Sequence, residues 1–245
     1  MTQPESTLEQ ATSSQAQSEP APKMVVIAYL APMFAYLASG SIESWIPGVG
    51  DHAAGTLYPI VYAARVALVC LVAWYFRSTW RDLSPWPRPG AIAVASLSGL
   101  AVVGLWVGLD GHYPGLPFAG TRVGFDPGQL AAGPRTAFII VRLAGLVVLV
   151  PLIEELFWRS FLIRWLISAD FQSVAIGRVT PASALLSALF FALVHPEWLP
   201  ALLTGLIWAG LLAWSRSVSA CVLSHAVANA ALGAYVLVTG DWKYW

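Results

Sequence analysis

The chain has 245 residues, 58% hydrophobic and 11% charged, with 13 Lys and Arg against 13 Asp and Glu and a mean hydropathy of +0.68. Soluble domains carry about 25% charged residues, so this composition excludes an ordinary soluble domain and points to an integral membrane protein. The zero net charge removes the electrostatic case for a nucleic-acid partner.

Residues 1–22 are rich in Ser, Gln, Glu, Thr, Ala and Pro. Such a composition cannot bury enough surface to fold, and the segment reads as a disordered tail. It is not a signal peptide, because no basic region leads directly into an apolar core. Met24 directly precedes the first apolar run and is a candidate natural start, which N-terminal sequencing of the native protein would test.

Seven apolar segments follow, at about 24–42, 57–76, 90–109, 135–168, 181–197, 199–214 and 218–238. A spanning helix needs about 20 apolar residues, and the alternating ten-residue pattern of barrel strands does not occur. The expected fold class is all-α, a polytopic transmembrane bundle of about seven helices. The fourth segment is too long for one perpendicular span. It is expected to be tilted, or broken near Pro151, and could hide an eighth helix. No internal repeat supports an inverted-repeat transporter plan. The organisation is a tail (1–22), N-terminal helices with an external loop (23–134), a transmembrane core (135–238), which the motifs below mark as the expected catalytic part, and a short C-terminal tail (239–245).

The basic residues set orientation. Lys23, Arg77, Arg81, Arg88, Arg159, Arg164, Arg178 and Arg216 collect on one side, and Arg122, Arg135 and Lys243 on the other. This predicts a cytoplasmic N-terminus, an external C-terminus and residence in a bacterial inner membrane. The loop at about 110–134 then caps the outer face. Trp45, Trp80, Trp86, Trp198, Trp242 and Trp245 fall at span ends and read as an interfacial belt. Cys70 and Cys221 read as small buried hydrophobes. His52, His112 and Glu197 fall in loops and read as solvated.

Chemistry must reside in the few ionisable groups inside the spans, which cost roughly 2.5–3.5 kcal/mol each to insert. Glu154 and Glu155 are adjacent within a strongly apolar run, Leu149 to Arg159. Glu155 and Arg159 are four apart and share a helix face; Glu154 is rotated about 100° away. His225 and Asn229 are also four apart. At about 1.5 Å per residue, Glu154 and His195 lie on the order of 20 Å from the inner face, His225 roughly 10 Å and Asn229 roughly 16 Å, all within reach of one cavity. A buried carboxylate can act as a general base near neutral pH, and His and Asn can donate to an oxyanion. Together these are the parts of a hydrolytic site. Phe190 and Phe191 would wall the cavity, and Arg142 would snorkel or pair structurally. Each residue also has a plain structural reading, because a His or Glu in a span can simply hydrogen-bond to another helix.

The pattern Glu154-Glu155-x-x-x-Arg159, Phe191-x-x-x-His195 and His225-x-x-x-Asn229 resembles the three motifs of the CAAX-protease and bacteriocin-processing (Abi) family. That family includes the type II CAAX prenyl endopeptidases. The resemblance covers about 135–238, and the layout is also similar to the CAAX-protease-related proteins that accompany bacterial exosortase systems. Many relatives carry Gly after the motif Arg, where this chain has Ser160. The resemblance implies an intramembrane endopeptidase. In it Glu154 activates water, His195 positions that water, His225 and Asn229 stabilise the oxyanion, and Glu155 with Arg159 forms a supporting ion pair. The substrate would be a membrane-anchored or lipidated protein or peptide, with no cofactor. Zn²⁺ held by Glu154, His195 and His225 is an open alternative, although no His-Glu-x-x-His helix is present. A proton-linked carrier and a non-catalytic scaffold are the rival functions.

Overall fold

The computed structural model describes residues 21–43, 57–116 and 124–245. The tail as far as residue 20, Trp45, His52 and loop residues 117–123, including Arg122, lie outside the described residues. Within the described residues the chain is helical, with no strand. The helices are α1 (Lys23–Glu43), α2 (Leu57–Tyr75), α3 (Pro89–Gly108), α4 (Ala132–Trp165), α5 (Pro181–Leu193), α6 (Trp198–Ser215) and α7 (Val218–Thr239). All but α5 are long and apolar enough to cross a membrane.

The fifth segment is shorter than the sequence suggested. A capping box of Thr180 and Ser183 starts α5, and the helix stops at Leu193 after 13 residues. Pro196 disfavours helical backbone in the residue before it, so His195 sits on the turn that follows α5 rather than on the helix.

The fourth segment is neither broken nor divided. It forms one 34-residue helix containing two π turns, Gly145–Leu149 and Leu156–Leu162. In the first, the Val150 N–H bonds five residues back to Gly145 O. Proline in a regular helix removes a donor and clashes one turn back; here Pro151 follows a widened turn. Continued in that register, residue 151 would have bonded Leu146 O. The Asn229 side chain of α7 donates to that carbonyl instead, at 2.7 Å. π turns are rare and recur at functional sites, and here they bracket the two glutamates.

Small residues let the helices approach closely, as is usual in membranes. A Cβ on Gly99 of α3 would lie 2.4 Å from Ser224 O of α7. Beside it Ser98 Oγ and Ser224 Oγ are 2.7 Å apart. Gly205 of α6 faces Ala188 of α5 equally tightly, with a Cβ–Cβ separation of 2.8 Å for any larger residue.

Long-range bonds sort the connections onto two faces. On one, the turn Arg77–Leu83 meets the end of α4 and the start of α7: Arg164 pairs with Asp82 at 2.6 Å, and Ser219 Oγ donates to Leu83 O. On the other, Lys243 Nζ contacts Asp110 Oδ2 at 2.6 Å, and Trp198 Nε1 donates to Pro114 O at 2.8 Å.

Several side chains depart from expectation. Arg159 and Arg164 are buried in ion pairs rather than exposed, and Arg164 lies beside the turn that carries Arg77 and Arg81. Cys70 is exposed, on the outer side of α2, while Cys221 is buried. Trp245 is buried because the left-handed Gly240 cap turns the tail back onto the bundle, so it is no belt residue. Trp80 is half-buried against the main core. Glu197 is half-buried, whereas His112 is exposed as expected.

Candidate active site

Between α1, α3, α4, α5, α6, α7 and the C-terminal tail lies a cavity of about 110 Å³. Glu154, Phe191, His195, His225 and Asn229 all line it. Four separate parts of the chain bring these residues together: α4, the end of α5, the turn after it, and α7. Glu155 and Arg159 do not line it. Phe190, expected as a second wall residue, faces outward with 46% exposure, since neighbouring residues on a helix point about 100° apart.

The two glutamates have divided along the helix surface. Glu155 is fully buried and serves two partners. Arg159 Nε lies 3.2 Å from its Oε2, and His225 Nδ1 lies 3.0 Å from its Oε1. The Arg159 Nη1 and Nη2 atoms are buried without hydrogen-bond partners. They are covered instead by the Phe191 and Trp208 rings, whose centroids lie 5.2 and 5.4 Å from the guanidinium carbon, a cation–π arrangement. Glu154 is also buried, but its Oε2 has no hydrogen-bond partner among the described residues. Of the two carboxylates, it is Glu154 that lines the cavity.

The hydrogen bonds fix both imidazoles. His195 Nδ1 is 2.7 Å from Phe191 O. A carbonyl only accepts, so Nδ1 carries the proton, and the neutral ring offers an Nε2 lone pair. His225 Nδ1 contacts a carboxylate, which orders its ring in the same way. Neutral His225 therefore accepts from Nε2, and it donates there only as an imidazolium. Trp106 packs edge-on to His195, with centroids 5.7 Å apart, and its own Nε1 donates to Thr204 Oγ1 at 3.0 Å. Trp208 lies 4.5 Å from His225 at 31° and donates Nε1 to Ser224 Oγ at 2.9 Å. The amide of Asn229 commits one N–H to Leu146 O and keeps a second N–H for the cavity. Arg142 lies outside this constellation, over the Tyr62 ring at 4.5 Å and bonded to Tyr58 Oη at 3.3 Å.

A second polar cluster anchors the end of the motif helix. Asp82 Oδ2 accepts from Tyr29 Oη at 2.7 Å, Ser160 Oγ at 2.5 Å and Arg164 Nη2 at 2.6 Å. Ser160 thus ties the second π turn to a loop outside the motif region.

Sequence reasoning missed Trp106, Thr204, Trp208, Tyr36, Tyr244 and Trp245, all of which line the cavity. None carries a motif signal; the apolar-face pattern of Trp106 and Trp208 is that of any core residue. It also missed the bond from Glu155 to His225, which joins residues 70 apart in sequence. Among the described residues no group of three or more His, Cys, Asp or Glu is arranged to hold a metal ion. Glu154, His195 and His225 share the cavity without forming a ligand set, so no step is derived through zinc.

No curated protein and no solved structure matches the chain. The family described as Rce1-like, type II CAAX prenyl endopeptidase, matches residues 136–231. That stretch holds all of the motif residues, from Glu154 to Asn229, and over it the chain is similar to the type II CAAX prenyl endopeptidase family.

Proposed function

We propose that the chain is an intramembrane endopeptidase that hydrolyses a peptide bond in a membrane-anchored or lipidated protein or peptide, and that residues 135–238 form its catalytic core. The observation that carries this reading is the cavity itself. It gathers Glu154, His195, His225 and Asn229 and leaves one Glu154 oxygen unmatched, while Glu155 and Arg159 are paired behind it.

In this mechanism a water bonds to Glu154 and to Nε2 of His195. Glu154 takes a proton from the water as its oxygen attacks the scissile carbonyl carbon. The electron pair of the C=O bond moves to the oxygen. Imidazolium His225, through Nε2, and the second N–H of Asn229 receive that oxyanion. When the tetrahedral intermediate collapses, the C–N bond breaks, and the proton held by Glu154 passes to the leaving amine. Glu155 keeps His225 in place; Arg159 balances Glu155. The reaction is metal-free, so a chelator leaves it unchanged. The N-terminus is cytoplasmic, and the cavity approaches the external side through the C-terminal tail.

The test is substrate trapping. Wild type and Glu154→Gln are expressed in matched cells, and membrane peptides are compared by mass spectrometry. Uncleaved precursors are expected to accumulate in the variant. Identical peptide profiles, with proton flux measurable in vesicles, would favour a carrier.

A further inference from the structure

The larger groove on the opposite side of the bundle from the tail, about 290 Å³, is separate from the catalytic cavity. Met24, Val25 and Ala28 of α1 form one wall; Phe76, Ser78 and Arg81 of the α2–α3 connection form the other. That connection joins two membrane-crossing helices at their same-face ends, so it lies at headgroup depth. Its flanking aromatics support this placement: Trp74, Tyr75 and Trp86 are 58%, 75% and 69% exposed, as expected for interfacial anchors.

The groove is amphipathic in the direction a phospholipid requires. The α1 wall is apolar. The rim is cationic at Arg81, 61% exposed in its side chain, and Lys23, exposed at the first residue of α1, directly precedes the wall residues Met24 and Val25. The acid adjacent to Arg81, Asp82, lies 3.8 Å from it. Its other oxygen is taken up by Tyr29, Ser160 and Arg164, and Arg164 offsets its charge. The rim is therefore net positive. A guanidinium fork suits a phosphate, and the Ser78 hydroxyl can add a donor. Thr79 Oγ1 is already bonded to Phe76 O and Tyr29 Oη to Asp82, so these two form the floor rather than donors.

We propose that this groove binds one anionic phospholipid, with the phosphate at Arg81 and Lys23 and an acyl chain along Met24, Val25 and Ala28. The floor residue Tyr29 bonds to the Asp82 that holds Ser160 and Arg164 of the motif helix. The lipid would therefore sit one hydrogen bond from the cluster that anchors the catalytic helix.

The experiment uses native mass spectrometry of the full chain released from micelles containing phosphatidylglycerol or phosphatidylcholine, with inorganic phosphate as a third arm. Wild type is expected to retain one phosphatidylglycerol and not phosphatidylcholine. Arg81→Glu should weaken retention by about tenfold or more, the scale of one lost charge-assisted hydrogen bond. Arg216→Glu, on the same face but outside the groove, should leave it unchanged. Equal retention by wild type and Arg81→Glu would overturn the proposal. So would equal retention of the two lipids, equal loss in both variants, or displacement of the lipid by phosphate alone.

Discussion

The cavity face of α4 and the packed face behind it are built from the same few residues and treat charge in opposite ways. Behind the cavity, Glu155 is held between Arg159 and His225, and farther along the helix Asp82 is held among Tyr29, Ser160 and Arg164. At the cavity, Glu154 keeps an unmatched oxygen. A buried charge with partners stabilises geometry; one without them is a site of reactivity held in place by the rest of the fold. The difference teaches that the adjacent glutamates are not a duplicated catalytic group. In the proposed mechanism one supplies the chemistry, and the other holds a histidine in position.

This division can be broken at several strengths. The largest effect is expected from Glu154→Gln, which should reduce cleavage by about 10²–10⁴-fold, the usual range for a lost general base. Its thermal melting should not fall, because the change removes an unpaired buried charge; a melting temperature well below wild type would show that Glu154 is structural. Glu155→Gln should behave in the opposite way. It leaves Arg159 uncompensated in the core and should lower stability by about 3–5 kcal/mol, measurable by denaturation in mixed micelles. Ser160→Gly should cost less, about 1 kcal/mol for a lost hydroxyl bond, with cleavage retained at permissive temperature. Complete loss of cleavage there would move the Asp82 cluster onto the reactive side of the division.

The smallest effect lies at the exposed pair of Lys243 and Asp110. The Lys243 ammonium holds the Asp110 carboxyl below its ordinary range, and the same bond raises Lys243. A lowered carboxyl contributes stability above the ordinary aspartate value and loses it as pH falls through the depressed one. The raised amine loses its contribution only in strong alkali. The stability difference between wild type and Lys243→Ala should therefore be flat from about pH 5 to 8 and shrink below about pH 4. It should stay under about 1 kcal/mol and fade with salt, as surface pairs do. A large difference at neutral pH would mean that the tail is held more firmly than one solvated ion pair allows.

Much of this arrangement was legible in the chain. Apolar run lengths gave the helices, and the spacing of Glu154, Glu155 and Arg159 separated Glu154 from the Glu155–Arg159 pair before any contact was known. The meeting of His195, His225 and Glu154 followed from depth along the helices. What was not legible arises from contacts between residues of ordinary type far apart in sequence. Nothing local marks Trp208 as the ring beside His225, or Trp245 as part of the cavity wall. The first π turn was hidden because its signal is an absent donor at Pro151 matched by an amide on α7. The length of α5 was overestimated because Val194 and His195 continue its apolar run, while Pro196 ends the helix from outside.

That short helix bears on how water reaches a site inside lipid. Thirteen residues rise about 20 Å, against a hydrocarbon layer of about 30 Å. Leu185, Leu186, Leu189 and Leu193 all point outward, so lipid tails must contact a helix that ends early. Such hydrophobic mismatch is relieved by local thinning of the bilayer. Thinning of that kind would draw the headgroups beside α5 toward the turn that carries His195, and hydration with them. Hydrolysis consumes one water for each bond broken, and this dimple in the membrane surface would supply it without a pore.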